Sequence, residues 1–478
     1  MKRLISICML FFGLVSILDA KVELPPIFAD NMVLQQQTDA ALWGKAKPDA
    51  KITITSTWSK TKTVVTADSD GKWFARIATP KAGGPYEITF NDGDKVTLKN
   101  VLIGEVWICS GQSNMEMQVK GFYGQPVNGS HEAIFGAKPS TLIRSCNVDR
   151  VISLDPKEEC AAKWYEHTPE GVAEASATAY FFAKKLYEVL DIPIAVINAS
   201  WGGTPIRSWI NPEILKKEFA SDVNLDHYVT GELPKEYTSH AAGVLYNGML
   251  HSLVPFTARG FIWYQGCTDR WKPELYKRLQ PAFVKMLRDE WGDQTMPFYF
   301  TQIAPYEYEN PDHPQAGFMM WAQAQTLELI PNSGMACLHD AGEYACIHPA
   351  NKKVVGDRLA YQALENDYGV KGFDSKTPIP VKFEFGEGEA VVTFGSCALG
   401  LSPINMDIDG FELAGEDKVF YPAKARVTGP TSKQLKVTSP EVKNPVAVRY
   451  GMKNWSVAKV FNNFGIPVTP FRSDNWDK

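Results

Sequence analysis

The sequence predicts an α/β protein in which a three-layer α/β/α domain with a parallel sheet lies between two β-rich modules. Short strands separated by turn residues fill residues 21–100, and similar strands return after residue 369. Between them, apolar strands alternate with helical stretches, a pattern that builds a parallel sheet covered by helices. The expected units are an N-terminal β-sandwich at 21–100, the α/β domain at 101–375 and a C-terminal β-rich module at 376–478.

The first 20 residues have the pattern of an export signal. Lys2 and Arg3 precede an uncharged, mostly apolar run at 4–18, and Ala20 lies where a signal peptidase cuts. The run is shorter than the roughly 18 to 20 residues that a membrane span needs. We therefore expect an exported chain, periplasmic or extracellular, whose mature form has no stable membrane span.

The charge balance gives no footprint for nucleic acid. The chain has 49 Lys and Arg against 54 Asp and Glu, a formal net charge of −5, and no basic domain. Its 8 cysteines include one in the export signal, and the other seven are widely spaced with no Cys-x-x-Cys pair. We expect mainly free, buried thiols with one or two bridges at most. The sequence leaves the oligomeric state open.

Local patterns justify each unit in order. In the first, 51–58 alternates polar and apolar residues, and turn sequences follow at 68–71 and 91–93. In the second, six apolar segments read as strands: 101–109, 142–146, 194–198, 260–264, 298–303 and 335–338. Helical spacing appears at 179–190, 279–287 and 352–366. In the third, five strands are expected: 381–385, 390–394, 425–427, 434–437 and 447–450.

A serine follows the first strand of the α/β domain. Ser110 and Gly111 break the apolar run at 101–109, and Ser113 comes next. Such a junction presents a hydroxyl at the carboxyl end of a parallel strand, beside backbone N–H groups able to bind an oxyanion. Met115 stands where the Gly-x-Ser-x-Gly elbow needs its second glycine, which disfavours the α/β-hydrolase fold. Ser113 is therefore the candidate nucleophile.

Several sequence blocks together resemble one known family. Gly111-Gln-Ser-Asn-Met115 resembles the serine block of the sialate O-acetylesterases, a branch of the SGNH hydrolases. The other matching blocks, in order, are Leu24-Pro-Pro-Ile-Phe-Ala-Asp-Asn-Met-Val-Leu-Gln35, Trp263-Tyr-Gln-Gly266, Ile347-His-Pro349, Arg358-Leu-Ala360 and Pro470-Phe-Arg472. The resemblance spans nearly the whole mature chain and implies an SGNH-type domain.

His348 is the candidate general base. A serine hydroxyl needs a base to take its proton, and histidine suits the task because its pKa lies near neutrality. Among 8 histidines, His348 lies in a short loop after the last predicted parallel strand and just before the helix at 352–366. The resemblance implies a base in such a late loop with proline following, as Pro349 does. His339 is the second candidate.

The group that orients His348 stays open. SGNH hydrolases generally carry aspartate three residues before this histidine, and some relatives carry it two before, but here those positions are Ala345 and Cys346. The remaining acceptors are a backbone carbonyl in a Ser–His dyad or one of three carboxylates: Asp340, Glu343 and Asp269. A carbonyl can fill the geometric role of the acid. We favour the dyad, with Asp340 as the first carboxylate candidate.

Three donors are expected to form the oxyanion hole. The amide of Ser113 comes with the turn itself. The resemblance makes 198–204 the second block, in which Gly203 lets the backbone approach the substrate closely. In the third block, the resemblance makes the Gln265 amide a side-chain donor.

Residues beside these blocks are candidates for substrate binding. Trp201 has a ring able to stack on a sugar, and Arg207 can pair with a sugar carboxylate. Asn114, next to the serine, is the third expected substrate contact. A cluster of His, Cys and acidic residues at 339–348 lacks the spacing of zinc sites, so neither a metal nor a cofactor is expected.

The resemblance implies an exported carbohydrate O-acetylesterase that removes acetyl groups from sialic acid through an acetyl-enzyme. The residues alone support serine-dependent ester hydrolysis. Two alternatives stay open: an acetylesterase for other glycans such as acetylated xylan, and a glycan-binding protein with a decayed site. The second arises because Ala345, Cys346 and Cys267 depart from the family's pattern, in which glutamate usually stands at the position of Cys267.

Overall fold

The N-terminal unit is built from two small sheets. The structure is a computed structural model that describes residues 21–476, so the expected export signal at 1–20 lies outside the described residues. The strands are β1 (Val33–Gln35), β2 (Asp39–Lys45), β3 (Lys51–Ser56), β4 (Ser59–Thr66), β5 (Lys72–Ala78), β6 (Gly83–Asn91) and β7 (Lys95–Gly111). β2 pairs with β5, and the other sheet runs β4-β3-β6-β7-β1. Along β5, the alternate residues Trp73, Ala75 and Ile77 are buried, which is the two-residue period of a half-buried strand.

Strand β7 belongs to two units at once. Its first half pairs antiparallel with β6, and its second half pairs in parallel with strands of the α/β domain. Every residue from 101 to 111 is buried, which is typical of a strand covered on both faces. The expected boundary at residue 100 falls inside this strand, so the two units share it.

The α/β domain contains a parallel sheet with helices on both faces. Its remaining elements are α1 (Ser113–Glu116), α2 (Ser130–Phe135), β8 (Ile143–Val148), β9 (Ala162–Tyr165), α3 (Pro169–Glu174), α4 (Ala177–Leu190), β10 (Ile194–Ser200), α5 (Pro212–Glu218), α6 (His227–Thr230), β11 (Gly260–Tyr264), α7 (Pro273–Trp291), β12 (Phe298–Thr301), α8 (Gln315–Leu329), β13 (Ser333–Ala336) and α9 (Lys352–Asn366). The order is β13-β12-β11-β7-β10-β8 with all six strands parallel, and β9 is antiparallel at the edge. The predicted fold class is confirmed.

Alternate residues of β7 pack into two different cores. Val106 and Ile108 lie in the core with α7 and α8, whereas Trp107 and Cys109 lie in the core with α4 and α9. Because successive side chains of a strand point to opposite faces, these helix pairs cover the two sides of the sheet. The chain is therefore layered as helix, sheet and helix, with the strand ends open along one edge.

Side-chain caps fix where two of these helices begin. The Ser176 hydroxyl accepts a hydrogen bond from the Ala179 amide at the start of α4, and the Asn351 side chain accepts one from Val354 at the start of α9. Each cap satisfies a donor that the first turn leaves unpaired. The cap on α9 sets the position of its first residue, Lys352, directly after the His348 loop.

The C-terminal module is an antiparallel sheet that packs on α8. Its strands are β14 (Ile379–Gly386), β15 (Glu389–Gly395), β16 (Leu401–Ser402), β17 (Ile408–Ala414), β18 (Phe420–Thr428), β19 (Gln434–Thr438), β20 (Ala447–Tyr450), β21 (Phe461–Asn462) and β22 (Phe471–Arg472). Seven of them form one sheet in the order β14-β15-β19-β18-β17-β20-β22. At the contact, a Cβ at Gly317 of α8 would lie 2.6 Å from the Cα atom of Met452. Only glycine lets the module approach the helix this closely.

The cysteines of the described chain are free thiols. Cys346 is half-buried, and the other six are buried. This agrees with the expectation of mainly free, buried thiols. In residues 21–476, no helix combines the length and apolar composition required to cross a membrane.

Candidate active site

Ser113 lies at the carboxyl end of β7, where the chain turns into α1. Gly111 has a φ of 142°, and a Cβ there would lie 2.2 Å from the Tyr264 carbonyl oxygen. The turn therefore requires glycine, both for its backbone angle and for the close contact with β11. The Gln112 amide then donates to the same carbonyl. These contacts place the Ser113 side chain half-buried at the open edge of the sheet.

The structure brings His348 and Ser113 together. The His348 Nε2 atom lies 2.8 Å from the Ser113 hydroxyl oxygen, although the residues are 235 positions apart. The other ring nitrogen, Nδ1, lies 2.6 Å from the amide oxygen of Gln125. An amide oxygen only accepts, so Nδ1 carries the proton and Nε2 is free to accept one from the serine. This is the tautomer that a general base needs.

The surroundings of His348 keep its ring neutral. Burial, followed by the positive charge of Lys352, lowers the pKa of His348 from 6.5 to about 4. The Phe122 ring also packs edge-on against the imidazole, with centroids 5.4 Å apart. At neutral pH the imidazole is therefore unprotonated and able to accept a proton.

None of the three carboxylates considered as partners of His348 contacts its ring in the structure. This includes Asp340, which was the first carboxylate candidate. Arg358 binds Asp340 through two parallel contacts, of 2.6 and 2.7 Å, which occupy both carboxylate oxygens. Glu343 accepts from the Ala350 amide at 2.6 Å. Asp269 accepts from the Ile206 amide and from Gln265. The acceptor that contacts Nδ1 is instead a neutral side-chain amide.

The second-ranked histidine is also engaged elsewhere. His339 is fully buried, and its two nitrogens contact the Val468 carbonyl and the Ser456 hydroxyl of the C-terminal module. It is a hydrogen-bonded core residue that holds this module against the α/β domain.

Sequence reasoning missed Gln125. It lies in the irregular stretch that follows α1, 223 positions from its histidine partner, and no motif marks it. The chain folds back on itself there, because Phe122 and Gln125 exchange two backbone hydrogen bonds. The Asn128 amide also donates to the Ala350 carbonyl, which docks this stretch on the His348 loop.

The loop after β10 lies close to Ser113. A Cβ at Gly202 would lie 3.3 Å from that of Ser113, and Gly203 adopts a φ of 76°. Within residues 21–476, neither the Ser113 amide nor the Gly203 amide donates to a protein acceptor. Both N–H groups are therefore available to a ligand.

Glu116 holds this loop in place and was not anticipated from the sequence. One of its carboxylate oxygens accepts from the Gly202 amide at 2.5 Å, and the other lies 2.9 Å from the Arg150 guanidinium. Burial raises the pKa of Glu116, while Arg150 and the Gly202 amide oppose that shift. The carboxylate thus ties α1, which carries Ser113, to the glycine loop.

Gln265 does not fit the expected role of oxyanion donor. Its side chain is fully buried, and its amide nitrogen donates to the Thr204 carbonyl at 3.1 Å and to Asp269 at 2.6 Å. Both N–H groups are committed to these acceptors, and neither is left for a substrate. Gln265 instead connects the loop after β11 to the loop after β10.

The three expected substrate contacts lie in different environments. Asn114 was expected to contact substrate, but the structure does not leave it free to do so. It is 1 % exposed, and its side-chain nitrogen and oxygen are both hydrogen-bonded to protein groups. Trp201 is half-buried, and the Arg150 guanidinium lies 5.5 Å from its ring centroid. Arg207 lines an open cavity of about 590 Å³ together with His240. A Cβ on Gly203 would be 3.9 Å from His240 Nε2, so this cavity borders the oxyanion loop.

Arg207 is unusual among the arginines near the site. In the described chain, its guanidinium has no hydrogen-bond or ion-pair partner, and only its backbone carbonyl is used, by the Gly243 amide. Burial lowers the pKa of Arg207, and the charge of Asp269 opposes this shift. A half-buried cation without a partner is ready to bind an anion.

The fold and the site define a class of protein. Serine hydrolases have a serine hydroxyl that is hydrogen-bonded to a neutral imidazole, beside available N–H groups. This chain has that arrangement at the carboxyl edge of its parallel sheet. Residues 103–365 match the family model SASA, a carbohydrate esterase family described as sialic acid-specific acetylesterase. The chain belongs to this family, and it is an esterase.

Individual relatives agree with this assignment. The human sialate O-acetylesterase is 29% identical over 392 residues, covering 74% of this chain and 73% of the relative. The mouse sialate O-acetylesterase is 28% identical over 423 residues, covering 75% and 76%. The crystal structure of a carbohydrate acetylesterase from Xanthomonas citri superposes with a TM-score of 0.85 at 31% identity, covering 95% of this chain and all of the other. Family and structure together support carbohydrate deacetylation.

Proposed function

We propose that this protein is an exported carbohydrate O-acetylesterase that removes acetyl esters from sialic acid, with Ser113 as nucleophile and His348 as base. The observation that carries the proposal is the 2.8 Å contact between the Ser113 hydroxyl and His348 Nε2. Positioning of this kind turns a weak nucleophile into a reactive one, because the proton has an acceptor as the new bond forms.

The reaction follows from the placement of these groups. Ser113 Oγ attacks the acetyl carbonyl while His348 Nε2 takes the hydroxyl proton. The amides of Ser113 and Gly203 stabilise the oxyanion, each worth about 3 kcal/mol or more. The sugar oxygen then leaves with the proton from His348, and an acetyl-Ser113 ester remains. Water attacks this ester with His348 again as base, which releases acetate and restores the serine.

Gln125 is the orienting residue in this proposal. Its amide oxygen holds the His348 Nδ1–H group and so fixes the ring and its tautomer. Unlike a carboxylate, it does not neutralise the imidazolium that forms during proton transfer. The site therefore has the geometry of a triad with the electrostatics of a dyad.

Arg207 supports sialic acid as the substrate. Sialic acid carries a carboxylate, and an arginine without a partner at the edge of the oxyanion loop provides its counter-charge. A neutral polysaccharide such as acetylated xylan would leave this guanidinium unpaired. The comparison between the two substrates is thus a direct test of substrate class.

Acetate release is the decisive measurement. The wild type should release acetate from O-acetylated sialic acid faster than from acetylated xylan, and it should hydrolyse p-nitrophenyl acetate. Ser113→Ala should lose at least about 10³-fold in each assay, since the nucleophile is gone. Equal turnover by wild type and Ser113→Ala would reject the proposal, and absence of turnover in both would favour a glycan-binding protein.

Export is the remaining part of the proposal, and it is supported by the charge and apolar pattern of residues 1–20. Mass spectrometry of the protein recovered from the cells that make it should find Lys21 as the first residue. A chain that retains Met1 in the cytoplasmic fraction would contradict export.

A further inference from the structure

Lys352 is a buried lysine that contacts the residues next to the candidate nucleophile and the candidate base. Its side chain is fully buried, and Nζ donates to the Asn114 side-chain oxygen at 2.5 Å and to the Pro349 carbonyl at 2.8 Å. Asn114 directly follows the candidate nucleophile, and Pro349 directly follows the candidate base. One ammonium group therefore contacts the neighbours of both reacting residues.

Asn114 completes a closed set of contacts, here called the Asn114–Lys352 clasp. Its amide nitrogen donates to the Ile347 carbonyl at 3.0 Å, just before His348. Its own backbone carbonyl accepts from the Thr178 hydroxyl of α4 at 3.0 Å. The serine turn and the histidine loop are thus joined twice, once through the asparagine amide and once through the lysine.

The charge of Lys352 has a cost that a purely structural side chain would avoid. Three groups with negative forms face it, namely Glu343, Cys346 and Cys267, and in residues 21–476 no carboxylate lies within ion-pair distance of Nζ. Burial accordingly lowers the pKa of Lys352 to about 7. An unpaired buried ammonium is expensive, whereas a methionine would fill the same volume at no such cost.

We propose that Lys352 is a positioning residue for the proposed acyl transfer: through Asn114 and the Pro349 carbonyl, it holds the Ser113 hydroxyl and the His348 imidazole at reacting distance. The inference rests on the proposed function. A displacement of about 1 Å between reacting groups can lower the rate about a hundredfold, so the Asn114–Lys352 clasp affects the reaction rate through this distance.

The charge of Lys352 has a second, measurable effect. It opposes protonation of His348, whose ring otherwise contacts the neutral groups of Gln125, Phe122 and Ser113. The Cys346 thiol contacts the His348 backbone carbonyl rather than the ring. In acid, Lys352 is fully protonated, so the repulsion is present where His348 titrates. Above neutrality the amine loses its charge but still has two N–H groups for its two acceptors, so the clasp persists.

The test compares Lys352→Met with Lys353→Met. The control lysine is the next residue of α9, where it is half-exposed and paired with Asp357. Lys352→Met should lower kcat/KM for p-nitrophenyl acetate by about 10- to 100-fold at neutral pH, as removal of supporting hydrogen bonds does elsewhere. It should also move the acid limb of the pH profile to higher pH. Lys353→Met should change neither quantity.

Two results would overturn the inference. One is a Lys352→Met enzyme with the kcat/KM and acid limb of the control. The other is a loss of activity with an unmoved acid limb and a lowered melting temperature, because that pattern marks a merely structural role.

A double-mutant cycle tests the clasp from its other side and covers the case in which Lys352→Met does not fold. Asn114→Leu should lose a similar factor, and the double variant should lose no more than the worse single, because both act through one unit. Losses that multiply would show two independent roles and would contradict the clasp.

Labelling of Ser113 by a fluorophosphonate separates this inference from the proposed function. If the wild type is neither labelled nor active, the proposed function fails and the inference fails with it. If the wild type reacts and Lys352→Met reacts as fast, the inference alone fails. Slower labelling of Lys352→Met, with Lys353→Met at the wild-type rate, supports both.

Discussion

The middle of β7, at Glu105, and the turn after its carboxyl end, at Ser113, both carry polar groups, but their hydrogen bonding is opposite. Toward the N-terminal module, Glu105 is fully buried, and both of its oxygens are saturated by Arg259, Gln35, Gln36 and Tyr368. In the turn after the strand, by contrast, the Ser113 amide has no protein acceptor within residues 21–476, and neither has the Gly203 amide in the loop after β10. A buried charge that only stabilises is fully paired. Donors left open beside a nucleophile indicate a ligand instead.

The largest expected effect is on stability, at the fully hydrogen-bonded Glu105. Glu105→Ala would leave the Arg259 guanidinium and the Tyr368 hydroxyl without their carboxylate, and should lower the free energy of unfolding by about 3 kcal/mol. Urea denaturation measures this change. Glu213→Ala, at an exposed pair with Lys216, should cost less than about 0.5 kcal/mol. Equal losses in the two variants would mean that the buried, fully paired Glu105 stabilises the fold no more than an exposed ion pair does.

The next effect is on activity, at the site around Ser113. Gln125→Ala should lower kcat/KM by about 10- to 100-fold, because the imidazole loses the acceptor that fixes its tautomer. The control is Tyr123→Ala, a fully exposed side chain on the same stretch. Gln125→Glu should retain activity and move the acid limb to higher pH, since a carboxylate stabilises the imidazolium. An unchanged rate in Gln125→Ala would mean that the contact is incidental.

A smaller effect concerns substrate choice. Arg207→Met should lower kcat/KM for O-acetylated sialic acid by about tenfold, the value of one charge-assisted hydrogen bond, and leave p-nitrophenyl acetate hydrolysis unchanged. Lys235→Met, an exposed lysine on the same cavity, serves as control. Parallel losses on both substrates would assign Arg207 to the support of the loop rather than to the carboxylate.

The smallest effect is a displaced pH limb in the wild type. His348 is active when neutral, and its pKa lies at about 4 rather than at the ordinary 6.5. As pH falls below 6.5, an ordinary histidine would become protonated, but His348 stays neutral until pH approaches its lowered pKa. The profile of kcat/KM should therefore hold through mild acid and fall near pH 4. A limb centred at the ordinary value would contradict the role of burial and Lys352.

The sheet could be predicted from the sequence because its strands carry their own signal. Each of the six parallel strands is a short apolar run bounded by turn residues, and the structure has a strand at every one. Helix α8 was missed for the converse reason. It is buried on nearly all sides between the sheet and the C-terminal module, so it has no polar stripe and no helical period.

Side-chain partners were harder to predict than positions. Ser113 and His348 could be named because each follows a predicted strand and each lies in a block that resembles the family. The partner of a polar side chain depends instead on which groups compete for it in the folded chain. Asp340 pairs with Arg358 of α9, and the Gln265 side chain donates to Asp269. Neither is therefore free for the role that the sequence predicted. The acceptor that contacts His348 Nδ1 is Gln125, and no spacing rule predicts that contact.

The strand shared by two units limits how this protein can be rearranged. Excision of residues 21–94 would remove β1 and β6 from the first half of β7, while its second half still leads into the turn with the candidate nucleophile Ser113. The exposed edge would present unpaired backbone groups that can pair with a strand of another molecule, so self-association is expected. The amino-terminal unit is thus part of the enzyme's frame, and recombination that treats it as a removable attachment should yield insoluble protein.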